Sequence, residues 1–70
     1  MVELKAQMAG IVYELLVKEG QQVTAGQTVI IIESMKMEIP FEAEADGTVI
    51  KINVAEGDFV NEEDVLITIA

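Results

Sequence analysis

Shifted by 37 residues, the chain falls onto itself, and this self-similarity limits the fold more than any single motif. Residues 9–33 align with residues 46–70 through Gly10/Gly47, Val12/Val49, Val17/Val54, Glu19/Glu56, Gly20/Gly57, Val23/Val60, Ile30/Ile67 and Ile32/Ile69. Eight identities in 25 positions, with glycines and core-type residues in phase, exceed what composition supplies. The shared unit reads G-x-V-x-x-x-x-V-x-E-G-x-x-V. A chain of 70 residues has no room for two cores, so residues 1–70 are expected to form one domain.

Each copy reads as β structure. Ile50, Ile52 and Val54 alternate with Lys51 and Asn53, and Tyr13, Leu15 and Val17 alternate with Glu14 and Lys18, with Leu16 out of phase. A period of two predicts half-buried strands with these apolar sets turned to the core. Glu19-Gly20 and Glu56-Gly57-Asp58 mark turns, and Gly10, Gly20, Gly26, Gly47 and Gly57 are the expected turn glycines. A short segment anchored by Val23 or Val60 follows. A second strand then comes at Thr28–Glu33 or Val65–Ala70, after Ala25-Gly26-Gln27 or Glu62-Glu63-Asp64. No segment keeps a helical period, and Glu62–Leu66 is one turn at most. Half of the residues are hydrophobic, chiefly Val, Ile and Leu, which favours strands. The expected fold is all-β, two sheets about a shared core related by a pseudo-two-fold axis.

Composition excludes several function classes. Without cysteine or histidine the chain has no disulfide, no thiolate nucleophile and neither of the usual zinc ligands or general bases. A formal charge of −9 repels phosphate backbones and anionic membranes, so neither nucleic acid nor membrane is an expected partner. The N-terminus lacks the pattern of a signal peptide, and no apolar run approaches the ~20 residues of a membrane span. The expected location is cytoplasmic. Met1 at the start and a core-type strand at the end suggest a free-standing chain rather than an excised piece.

That leaves Glu33-Ser34-Met35-Lys36-Met37-Glu38, in the segment joining the copies. The flanking stretches, Ile30–Glu33 and Glu38–Ala43, can pair as a hairpin with Lys36 exposed at its tip. A lysine side chain in water is uncharged in only about one molecule in a thousand at neutral pH, so it is a poor nucleophile unaided. It is still open to an enzyme that supplies a base and an activated acyl group. Hairpin tips usually carry Asn, Gly or Asp. Two methionines there offer soft apolar contact to a partner. By the internal symmetry, Lys36 and the C-terminus are expected at opposite ends of the domain.

These residues resemble the attachment motif of the biotinyl/lipoyl attachment domain family, in particular the biotin carboxyl carrier type found in biotin-dependent carboxylases. Ala6-Gln7-Met8-Ala9-Gly10 is similar to the family's A-P-M-x-G, with Gln7 for proline. Ala43-Glu44-Ala45-Asp46-Gly47 is similar to A-P-x-D-G, with Glu44 for proline, and Ser34 stands where alanine is usual. The resemblance implies a flattened β-barrel of two four-stranded antiparallel sheets, a barrel-sandwich hybrid, with the modified lysine on an exposed β-turn. It implies that biotin protein ligase joins biotin to Lys36 as a swinging arm serving biotin carboxylase and carboxyltransferase subunits. Met35 and Met37 would be read by the ligase and partners, while Glu33, Ser34 and Glu38 shape the hairpin. A non-catalytic, thumbless monomer is expected, because no loop separates the first copy from the hairpin. The nearest rival is a lipoyl carrier for a 2-oxoacid dehydrogenase or glycine cleavage, modified by a lipoyl ligase, or a chain accepting both groups. Lipoyl domains typically place Asp before the lysine and Ala after it, where this chain has Met35 and Met37. A rival of another class is an unmodified β-sandwich interaction module.

Overall fold

The computed structural model describes all 70 residues, and its regular elements are all strands. They are β1 (Val2–Lys5), β2 (Gly10–Leu15), β3 (Gln22–Val23), β4 (Thr28–Ser34), β5 (Met37–Glu42), β6 (Gly47–Ile52), β7 (Phe59–Val60) and β8 (Val65–Ile69). They form two four-stranded antiparallel sheets, ordered β1-β8-β6-β3 and β5-β4-β2-β7. Adding 37 to the residue numbers turns β1–β4 into β5–β8 and one sheet order into the other. Each sheet takes strands from both halves of the chain.

The core shows the same offset. Leu4/Phe41, Ala6/Ala43, Val12/Val49, Val23/Val60, Val29/Leu66, Ile30/Ile67 and Ile32/Ile69 supply fourteen of its fifteen buried apolar residues. Val17 is the fifteenth, and its counterpart Val54 packs against the cluster half-buried. No polar side chain is buried, so the interior is a contact between two apolar faces, aliphatic apart from Phe41, each Å² of which contributes about 25 cal/mol.

Turns carry reciprocal bonds between the halves. The Gly20 N–H donates to the Val49 carbonyl at 2.7 Å, and the Gly57 N–H donates to the Val12 carbonyl at 2.8 Å. The Glu56 carboxylate accepts from the Leu15 N–H, and that of Glu19 accepts from the Ile52 N–H, both at 3.0 Å. The carboxylates thus satisfy the N–H groups of Leu15 and Ile52 just past the bulges at Tyr13 and Ile50, and the glycine amides engage the Val12 and Val49 carbonyls just before them.

The bulges correct one expectation. Tyr13 and Ile50 point outward, 50% and 44% exposed, although alternation assigned them to the core. Each bulge adds a residue, so Val12 and Val49 face inward before it and Leu15 and Ile52 turn toward the core after it. Over the first half of each strand the true alternation is therefore one residue out of step with the apolar pattern.

A second correction concerns two glycines. Gly10 and Gly47 open strands β2 and β6 and are not turn residues. A Cβ on Gly10 would lie 2.6 Å from the Glu33 carbonyl oxygen, and one on Gly47 would lie 2.3 Å from that of Ala70. They are glycine because backbone passes too close for a side chain. Gly57, by contrast, has φ of 93° with open space around it, so only its left-handed backbone demands glycine. Urea unfolding of Gly57→Val should show a loss of about 1–3 kcal/mol from that conformation. Gly10→Ala should cost at least as much, about 1–3 kcal/mol or more, because β2 and β4 must separate. A Gly10→Ala midpoint equal to that of the unaltered protein would contradict the close approach.

Candidate functional site

Strands β4 and β5 share the longest register in the molecule, from Thr28↔Glu42 to Ser34↔Met37. Ile30 and Ile32 bury one side of β4 completely and anchor the hairpin in the core. The hairpin closes with Met35 and Lys36 alone between the paired Ser34 and Met37. Both have positive φ, 53° and 64°, the backbone of a type I′ turn. That turn suits the twist of the flanking strands but favours Asn-Gly. Each non-glycine residue held in the left-handed region costs of order 1–3 kcal/mol. The hairpin therefore holds two left-handed residues at its most exposed point, and one is the lysine.

The side chains of the turn face solvent. Met35 is 92% and Met37 63% exposed, far beyond edge-of-core packing. Lys36, Glu33 and Glu38 are exposed and Ser34 is half-buried. Glu33 and Glu38 lie directly opposite one another, a like-charge pair that does not stabilise the hairpin. The seven side-chain hydrogen bonds to backbone all lie elsewhere. Thus the six residues from Glu33 to Glu38 form one continuous surface, and the strand ladder rather than side-chain contacts positions it.

The arrangement displays a primary amine on a two-residue turn, backed by a rigid ladder and flanked by apolar side chains. No group of three or more His, Cys, Asp or Glu comes together in a geometry suited to a metal ion. Glu19 and Glu56, which sequence reasoning placed in turns only, prove to be the carboxylates that bridge the two halves. Their identity in the 37-residue repeat was the available sign.

Comparison with known proteins agrees with this geometry. The profile of a family described as "Biotin-requiring enzyme" matches residues 1–69. The chain belongs to the biotin/lipoyl attachment family. A biotin/lipoyl attachment protein of Bacillus subtilis (strain 168) is 52% identical over 64 residues, 91% of this chain and 88% of that protein. Among solved structures, Kluyveromyces lactis urea carboxylase matches with a TM-score of 0.92 and 35% identity over 99% of this chain. This chain spans only 6% of that enzyme. The lipoyl domain of the 2-oxoglutarate dehydrogenase complex from Azotobacter vinelandii matches with a TM-score of 0.84 and 28% identity, covering 100% of this chain and 96% of that domain. No helix of this family member is long and apolar enough to cross a membrane.

The turn's backbone gives a direct test of strain at the tip. Replacing Met35→Asn together with Lys36→Gly should stabilise the protein by about 1–2 kcal/mol. Calorimetry should then show a rise in Tm of about 4–8 °C per kcal/mol for a chain of this size. An unchanged Tm would mean that the tip holds no strain.

Proposed function

We propose that Lys36 is the attachment point for biotin and that the protein carries carboxyl groups between two enzyme active sites as a cytoplasmic monomer. The observation that carries this reading is the lysine's place at the exposed apex of the β4–β5 hairpin, between Met35 and Met37. The urea carboxylase likeness and the family profile support biotin in particular. The exposed amine fits such a group, since no side chain of the turn is committed to the core.

In the proposed reaction, a biotin protein ligase accepts a proton from the Lys36 ammonium, and the freed Nζ attacks the acyl carbon of biotinyl-adenylate. A C–N amide bond forms, the acyl C–O bond to phosphate breaks, AMP leaves with the electron pair, and the nitrogen gives up its second proton to solvent to leave a neutral amide. Bound biotin supplies a ureido ring able to take up and release a carboxyl group. The protein's own residues hold and present. The core keeps β4 and β5 in register, the turn fixes where Lys36 emerges, and the methionines give an apolar surface to enzymes that meet the tip. Tethering raises the effective concentration of the arm at a biotin carboxylase and then a carboxyltransferase, with no catalytic group in the chain itself.

Lipoate on the same lysine is the second reading, favoured by the likeness to the 2-oxoglutarate dehydrogenase lipoyl domain. Met35 and Met37 weigh toward biotin, where lipoyl domains typically carry Asp and Ala.

Intact mass and peptide mapping after incubation with biotin ligase, ATP and biotin should show one biotinyl increment on Lys36. Lys36→Arg should show none, with an unchanged Tm. A lipoyl increment obtained only with a lipoyl ligase would move the protein to the second reading. No increment on folded protein with either ligase would refute both and leave an unmodified interaction module.

A further inference from the structure

One row of side chains crosses the second sheet directly behind the turn. Phe59 pairs with Ile11, Ile11 with Glu33, and Glu33 with Glu38, so the row runs through β7, β2, β4 and β5. All four side chains are exposed, giving a face that is apolar at one end and acidic at the other. Tyr13 at the bulge and half-buried Ile31 extend the apolar part. Phe59 is 61% exposed, an aromatic ring left in water beside an exposed isoleucine.

The internal symmetry supplies its own comparison. The 37-residue offset places Gln22 where Phe59 stands, Thr48 for Ile11 and Thr68 for Ile31, and only Ile50 matches Tyr13 as an apolar residue. The first sheet therefore shows that the same backbone accepts polar side chains at these positions. Folding does not require Phe59 and Ile11 to be apolar, yet the apolar set occurs on the sheet that carries the hairpin. Clustered exposed aromatic and aliphatic side chains beside charges are the usual composition of a protein-binding surface.

We infer that the Phe59–Ile11–Glu33–Glu38 row is a docking surface for the ligase that acylates Lys36, through an apolar pocket edged by Lys or Arg. The inference rests on the biotin-carrier reading. Two observations select this occupant. The net charge of −9 and the two glutamates in the row oppose a second copy of the same chain and favour a basic partner. The unmodified lysine also has only its own four-carbon stem with which to reach the acyl carbon. Glu33 lies about 7 Å along the strand from the turn, so an enzyme that engulfs the tip meets this row. Enzymes that later act on the lengthened arm are under no such constraint.

The test grafts the first sheet's residues onto the second, as Phe59→Gln with Ile11→Thr. Ligase kinetics on this apo-protein should show KM raised about tenfold or more with kcat within about twofold, the loss typical of removing a central anchor. Its thermal unfolding should match that of the unaltered protein. Gln22→Phe with Thr48→Ile, the reverse graft on the far sheet, should leave kcat/KM unchanged. Should the first variant fail to fold, Glu38→Lys provides a second reading, with slower acylation and a weaker dependence on salt. Unchanged kcat/KM in both row variants overturns the docking surface while leaving Lys36 as the attachment site. Unchanged acylation with impaired carboxylation of the loaded protein overturns it in favour of the carboxylase. A wild-type dimer that the graft dissociates overturns it in favour of self-association. If the unaltered protein takes no biotin from the ligase, the carrier reading itself fails.

Discussion

Everything in this small molecule depends on each half of the chain completing the other. The Gly20 and Gly57 amides reach the Val49 and Val12 carbonyls, and Glu56 and Glu19 reach the Leu15 and Ile52 amides. Four of the six strand pairings, β1 with β8, β6 with β3, β5 with β4 and β2 with β7, join one half of the chain to the other. Bonds between turn and opposite strand tie the two halves together on both sides of the molecule. From that fixed body the β4–β5 ladder carries a two-residue turn outward.

Much of this was legible in the sequence, and the reasons for the rest are specific. The repeat, the all-β class and the hairpin around Lys36 followed from identities and alternation. The bulges at Tyr13 and Ile50 did not, because an inserted residue preserves the appearance of alternation while shifting its phase. The roles of Gly10 and Gly47 were hidden because a glycine needed for close backbone approach looks in sequence like one needed for a turn. In the structure the 37-residue offset also extends back to Leu4/Phe41 and Ala6/Ala43, before the aligned segments begin. Leu4 and Phe41 differ in identity and share only burial, so an identity count passes over them. Glu63, with φ of 77°, stands where the first half has Gly26 at 89°, a conformational match that residue identity conceals.

Stability and function are separated along the molecule. The core pairs and bridging carboxylates serve the fold, while the side chains from Glu33 to Glu38 make none of the side-chain hydrogen bonds that hold it. Two left-handed non-glycine residues and a like-charge pair make the tip a locally unfavourable stretch, tolerated because the ladder beneath it is complete. On the proposed carrier reading this cost is retained because stabilising the turn with Asn-Gly would remove the lysine.

The central claim is that the turn presents one particular lysine position and that exposure alone is insufficient. The most direct measurement exchanges the two turn residues, Met35→Lys with Lys36→Met, and follows ligase-dependent mass change on the folded protein. The account predicts native unfolding behaviour and little or no biotin at position 35. Full modification there would show that the ligase needs only an exposed amine on the hairpin, and would contradict the claim.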